Sequence, residues 1–117
     1  MNIEDYRDYC LKMPGVTEGF PFDDKTIVFK VMNKIFALAS VENFVSTNLK
    51  CDPELAIELR EEFHSIKPGF HMNKKHWNTI EIEGDVSDRK LFELISHSYD
   101  LVVNGLTKKL KEELNAI

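Results

Sequence analysis

The amino-acid sequence predicts a single α+β domain over residues 1–117, with helices on one face of an antiparallel sheet. Three short β-type segments follow one another with very short connections, which only antiparallel pairing permits. Segments with helical periodicity and capping residues stand before and after them. Of the 117 residues, 43% are apolar and 30% are charged, which is enough apolar material to bury one core.

The chain begins with a predicted helix. Asn2 is a good N-cap, and apolar residues recur at helical spacing until Pro14 ends the pattern. Residues 15–25 lack periodicity and predict a loop. Phe20 and Phe22 are too apolar to be left in water, so we expect them to pin this loop to the core.

Four segments predict strands. Residues 26–31, 35–40 and 44–49 are rich in apolar and β-branched side chains and should form a meander of three strands. Residues 64–76 show no regular period. Residues 77–83 alternate between apolar and polar side chains, which is typical of a half-buried strand. We therefore expect a two-layer fold with about four to five strands, the meander coming first.

Three further helices are predicted by their ends. Asp52 followed by Pro53 starts one helix, because Asp caps and Pro suits the first helical position. Ser87 caps a longer helix that Gly105 ends. Thr107 caps a short last helix.

The charge of the chain is unevenly distributed. The net charge is −5, which argues against nucleic-acid binding through the whole surface. Residues 25–51 nevertheless hold four Lys against one Glu, and residues 64–80 hold three Lys and no acid. If these two segments met in the fold, they would form a local positive patch, although Lys also commonly protects strand edges.

The sequence predicts a cytoplasmic protein. Residues 1–5 are acidic and polar rather than typical of a secretory signal, and no apolar run approaches the roughly 20 residues that cross a bilayer. Cys10 and Cys51 lack C-x-x-C spacing, so we expect free thiols, with Cys10 facing the core. Cys51 precedes a predicted helix N-terminus, which would lower the pKa of an accessible thiol. We expect a monomer or weak dimer without a cofactor.

The segment from residue 67 to residue 78 contains three Lys, two His, two Asn and two aromatic residues, but no acid. Basic groups interleaved with aromatic rings suit a partner that carries phosphates. Alternatively, Phe70 and Trp77 anchor the loop in the core and the Lys side chains are merely solvated. The spacing of His71 and His76 does not select a metal ion.

Four stretches resemble the MmcQ/YjbR family of small bacterial proteins: Phe20–Asp23, Leu49–Glu54, Pro68–Asn78, and Ser98–Val103 followed by Leu106–Lys109. The one departure is Thr107, where the family commonly has Pro. The resemblance implies a fold similar to type III secretion chaperones and a DNA-binding role of the kind called double wing. By matching positions, it places this role on Lys50, His71, Asn73, Lys74, Lys75, His76 and Trp77.

Our leading hypothesis from the sequence is a non-enzymatic domain that binds DNA through this basic and aromatic segment. Phosphates would be neutralised by Lys50, Lys67, Lys74 and Lys75, and hydrogen bonds would come from His71, Asn73 and Asn78. One alternative is a protein-interaction module resembling a chaperone, with a sheet edge that accepts an extra strand. Another is a small-molecule binder with a pocket near His71, His76 and Tyr99.

Overall fold

The computed structural model describes residues 1–117 and consists of one six-stranded sheet and four helices. The helices are α1 (Ile3–Lys12), α2 (Pro53–Glu62), α3 (Asp88–Asn104) and α4 (Lys108–Asn115). The strands are β1 (Val16–Gly19), β2 (Thr26–Val31), β3 (Lys34–Ser40), β4 (Ser46–Lys50), β5 (Ile66–Pro68) and β6 (Trp77–Glu81). The predicted α+β class with an antiparallel sheet is confirmed.

The strands are ordered β1-β2-β3-β4-β6-β5, and every neighbouring pair is antiparallel. The meander predicted for the middle of the chain is present, but the sheet has two strands that the sequence did not predict. β1 lies in the predicted loop 15–25, and β5 lies in the irregular segment 64–76. Both are short edge strands, and β5 contains Pro68, so neither shows a period that could be read from the sequence.

The predicted helix starts are confirmed by the capping hydrogen bonds. In each case the cap's side-chain oxygen accepts from the backbone N–H three residues later: Asn2 from Asp5 (2.8 Å), Asp52 from Leu55 (3.2 Å), Ser87 from Lys90 (3.1 Å) and Thr107 from Leu110 (3.2 Å). Gly105 ends α3 as expected. None of the four helices combines the length and the apolar character that crossing a membrane requires.

The core lies between the helices and one face of the sheet, and all four helices contribute buried side chains to it. Tyr6 and Cys10 of α1 are completely buried, so the predicted inward position of Cys10 is confirmed. Ser98 joins α3 to the sheet, because its hydroxyl donates to the carbonyl of Phe36 (2.6 Å) and accepts from the N–H of Lys50 (2.9 Å).

The prediction that Phe20 and Phe22 pin their loop to the core is wrong. Their side chains are 49% and 65% exposed. The loop is fixed by a polar contact instead, since the Asp23 carboxylate accepts from the backbone N–H groups of Lys25 (2.9 Å) and Thr26 (2.7 Å). These bonds hold the pKa of Asp23 below its usual value. Local turn chemistry therefore places the two rings outside the core.

Candidate binding groove

The second face of the sheet carries no helix. Strand register aligns six residues in one row across it, one from each strand: Gly19, Val28, Leu38, Asn48, Thr79 and Lys67. Because side chains alternate between the two faces of a strand, the neighbours of these residues point into the core. The outer row thus presents a surface that only loops can cover.

Two loops fold over this face and leave a groove of about 760 Å³, which we call the open-face groove. One loop precedes β2 and the other joins β5 to β6. The apolar lining consists of Phe22, Leu38, Ala39, Val45, Pro68, Phe70 and Met72. The volume falls within the range of roughly 300–1,000 Å³ that is common for ligand sites.

Phe70 forms one wall of the open-face groove. Its side chain is 67% exposed, yet its backbone is fixed to the sheet. The N–H of Phe70 donates to Thr79 Oγ1 (2.8 Å), and Asn48 Nδ2 donates to the carbonyl of Phe70 (3.2 Å). Thr79 Oγ1 donates in turn to Asn48 Oδ1 (2.5 Å). A closed network therefore holds the backbone of Phe70 in place over the sheet.

His71 follows Phe70 in a left-handed backbone conformation, with φ of 59°. Its ring centroid lies 4.1 Å from that of Phe70, and its side chain also lines the groove. A non-glycine residue in this region of φ is uncommon and occurs often at binding sites. The two rings together form the edge of the wall.

Arg60 of α2 fixes the base of the same loop from the core side. Its Nε donates to Asn78 Oδ1 (2.7 Å), and its Nη2 donates to the carbonyls of Trp77 (3.2 Å) and Lys74. Asn78 is only 2% exposed, and the hydrogen bond from Arg60 Nε satisfies its buried Oδ1. Nothing in the sequence distinguishes Arg60 from a solvated helix residue, and its role was not predicted.

A family model described as YjbR matches residues 11–101. The chain belongs to the YjbR family. This confirms the resemblance found in the sequence, and the matched residues include the whole open-face groove.

Individual relatives of this YjbR-family chain match over most of their length. The Escherichia coli (strain K12) protein named uncharacterized protein YjbR is 34% identical over 115 residues, which is 97% of this chain and 98% of that protein. The protein named uncharacterized protein YbdF of Escherichia coli O157:H7 is 41% identical over 101 residues, 86% of this chain and 83% of that protein.

Solved structures share the fold. The crystal structure of Deinococcus radiodurans protein DR2400, with the family-model domain DUF419, superposes with a TM-score of 0.90 at 42% identity, covering 97% of this chain and 88% of that one. A crystal structure of a Pseudomonas syringae protein superposes with a TM-score of 0.73 at 28% identity, covering 86% and 98%.

Two of the lysines predicted to neutralise phosphates already have partners in this YjbR-family structure. Lys67 lines the open-face groove, but its Nζ lies 2.7 Å from Glu81 Oε1, which lines the groove as well. The Nζ of Lys74 donates to the carbonyl of Gly69 (2.9 Å), within its own loop. Of these two lysines, only Lys67 is therefore paired with an opposite charge.

The other two predicted lysines lie outside the groove lining. Lys50 is half-buried in β4, opposite Trp77 of β6 in the strand register. Lys75 is exposed in the loop between β5 and β6, where its backbone N–H donates to Asn73 Oδ1 (2.9 Å). Only one of the four lysines, Lys67, therefore lines the groove.

The predicted hydrogen-bonding residues are also divided. His71 lines the open-face groove, whereas Asn73 closes a turn and Asn78 is buried against Arg60. His76 and Trp77 are half-buried at the base of the loop, outside the groove lining.

The pocket expected near His71, His76 and Tyr99 is not formed. Tyr99 lies on α3 in the core, where its hydroxyl donates to the carbonyl of Pro14 (2.6 Å). His71 lies on the opposite face of the sheet. The sequence could not separate them, because strand register and helix packing decide which face each residue occupies.

Cys51 is not the accessible, activated thiol that its place before a helix allowed. It is 3% exposed, and burial, with a further contribution from the adjacent Asp52, raises the pKa of its thiol to about 11. Desolvation is the largest cause and outweighs the opposing effect of the Arg60 charge on this pKa. No three His, Cys, Asp or Glu side chains are grouped so that they could hold a metal ion.

Proposed function

We propose that this YjbR-family chain is a non-enzymatic protein-interaction module whose open-face groove binds an apolar segment of a partner protein. One observation carries the proposal. Phe22 and Phe70, 65% and 67% exposed, stand on the two loops that flank the groove, and hydrogen bonds fix both loops. Exposed aromatic side chains grouped around a groove are typical of an interaction site.

The charge of the groove supports an uncharged partner segment. Lys67 and Glu81, the two oppositely charged residues of the lining, pair with each other at 2.7 Å. Val45 extends the apolar rim and is 58% exposed. The lining therefore offers a charged side chain of the partner no unpaired opposite charge.

The DNA binding favoured by the sequence stays a prediction. The pairing of Lys67 with Glu81 offsets one of the four positive charges, whereas Lys74 keeps its charge and has one N–H donor bound to a loop carbonyl. Binding that depends on phosphates would weaken steeply with added salt, whereas insertion of apolar side chains would not. The salt dependence of binding therefore separates the two functions.

The first experiment selects partner segments and tests the two aromatic rings. Random peptides displayed on phage are selected on the wild-type protein, and enriched peptides are labelled and measured by fluorescence anisotropy. We expect the Phe22→Ser/Phe70→Ser variant to bind them at least about tenfold more weakly, a loss of about 1.4 kcal/mol. Ile57→Ser is the matched control, because Ile57 is also exposed (56%) but lies on α2, away from the groove.

The same titration is run with labelled duplex and single-stranded DNA at low and high salt. DNA binding that Lys67→Glu/Lys75→Glu abolishes, and that the Phe22→Ser/Phe70→Ser variant retains, would support the function predicted from the sequence and contradict ours. Failure to enrich any peptide would contradict ours as well. Far-UV circular dichroism of each variant shows whether it is folded.

A further inference from the structure

We propose that the bound segment crosses the strands of the open face and is held by its side chains, without adding a strand to the sheet. This inference rests on the proposed function and specifies its partner: an uncharged segment with a large apolar side chain, whose backbone need not be extended. Strand addition is the common alternative for sheet proteins and requires an edge with free N–H and C=O groups.

The β5 edge offers no backbone donor. In the antiparallel pair of β5 and β6, Glu81 N–H donates to the carbonyl of Ser65 (2.8 Å) and Gly69 N–H donates to the carbonyl of Trp77 (2.8 Å). Residues 65, 67 and 69 therefore face β6, and the alternate residues Ile66 and Pro68 face outwards.

Neither outward residue of β5 has an N–H group to offer. The N–H of Ile66 donates to the carbonyl of Phe63 (3.3 Å), and Pro68 has no N–H. This edge adjoins the groove, since Lys67 and Pro68 line it. A peptide that entered the groove from this side would find side chains to contact but no backbone N–H group with which to continue the ladder.

The β1 edge is remote from the groove, and α1 contacts β1 there. Arg7 of α1 holds Glu18 of β1 with three hydrogen bonds, from Nε to Oε1 (3.0 Å) and Oε2 (2.7 Å) and from Nη2 to Oε1 (2.6 Å). No residue of β1 lines the open-face groove. A strand added there would make no contact with Phe70, which is hydrogen-bonded to Asn48 of β4 and Thr79 of β6, towards the opposite edge of the sheet.

The groove itself runs over strands that are already paired on both sides. Ser40 of β3, Ser46 of β4 and Thr79 of β6 line it, and the backbones of these three strands are bonded to neighbouring strands. Only their side chains face the groove, as a polar floor between the Phe22 and Phe70 walls. A partner must therefore be recognised by apolar insertion and by side-chain hydroxyl and amide groups.

The test uses the peptide that phage selection enriches on the wild-type protein, with each backbone amide N-methylated in turn. An added strand bonds through every second residue, so strand addition predicts losses of about tenfold or more at alternate positions. We expect no such alternation, while replacing the peptide's large apolar side chain by Ala lowers affinity at least about tenfold.

Amide hydrogen exchange of the protein with the parent peptide gives an independent result. We expect slower exchange at residues around Asn48, Phe70 and Thr79, and unchanged exchange in β1. Alternating N-methyl losses, or protection confined to β1, would overturn the crossing mode even if binding depends on Phe22 and Phe70. Peptide binding that the Phe22→Ser/Phe70→Ser variant leaves unchanged would instead overturn the proposed function, and the crossing mode with it.

Discussion

Replacing Arg60 with Ala should destabilise the protein and loosen the loop that carries Phe70. The guanidinium group joins α2 to Asn78 and to the carbonyls of Trp77 and Lys74. Arg and Ala both favour helices, so the substitution changes the helix propensity of α2 little. The effect should therefore come from the lost hydrogen bonds.

The size of the effect follows from what each acceptor retains. Asn78 Oδ1 is buried and loses its donor, which costs about 1–3 kcal/mol. The carbonyl of Trp77 keeps its bond from the N–H of Gly69 (2.8 Å), and Lys74 is exposed, so water can replace the third bond. We expect a loss of about 2 kcal/mol in the free energy of unfolding.

Urea denaturation followed by far-UV circular dichroism measures this loss. Arg89→Ala is the control, because Arg89 also lies in a helix but its side chain is 92% exposed, and it should cost less than about 0.5 kcal/mol. Amide exchange at His76 and Trp77 should quicken in Arg60→Ala alone. Equal unfolding free energies for the two variants would refute the role assigned to Arg60.

Three further predictions concern buried or bonded groups. Thr47 Oγ1 donates to a backbone carbonyl of β3 (2.9 Å), so the hydroxyl of Tyr6 must donate to Thr47. Thr47→Val leaves this buried phenol without a partner and should lower the unfolding free energy by about 1–3 kcal/mol, more than the roughly 1 kcal/mol expected for Tyr6→Phe. The reverse order of the two variants in urea denaturation would contradict this assignment. A Cβ at Gly84 would lie 1.6 Å from Ser65 Oγ, so Gly84→Ala should lower the unfolding free energy by about 1–3 kcal/mol. Gly19→Ala is the control, because a Cβ at Gly19 has no atom within 4 Å, and an equally small loss for both variants would disprove the clash. Hydrogen bonds from Ser65 lower the pKa of Asp85 to about 2, against about 3.9 when unfolded, so its contribution to stability is present above pH 4 or so and is lost as the pH falls through about 2. Asp85→Asn should flatten that part of the pH profile of unfolding, and parallel profiles would count against it.

The helices and the central strands could be predicted because their signals are local. A cap such as Asp52 before Pro53 acts within one turn of helix, and the β-branched run of β2 lies within six residues. The edge strands could not be predicted in this way. β1 and β5 have four and three residues, too few to show a period, and they exist because neighbouring strands supply hydrogen bonds.

The groove could be predicted only in part. The segment around His71 was recognised as a candidate site, and His71 and Lys67 do line the groove. Its other wall, Phe22, was expected in the core, because hydrophobicity predicts burial and does not say which turn holds a side chain outside. The pairing of Lys67 with Glu81 joins different strands and depends on register, which composition does not reveal.

Side chains alternate between the two faces of β6, so neighbouring residues contribute to different parts of the molecule. Asn78 points towards the helices and packs in the interior, whereas Thr79, the next residue, lies on the outer surface. Stability and the proposed partner binding therefore depend on interleaved positions of the same strand. A designer could change outward residues of this sheet without altering the interior, provided that Asn48 and Thr79, which hold the Phe70 loop, are kept.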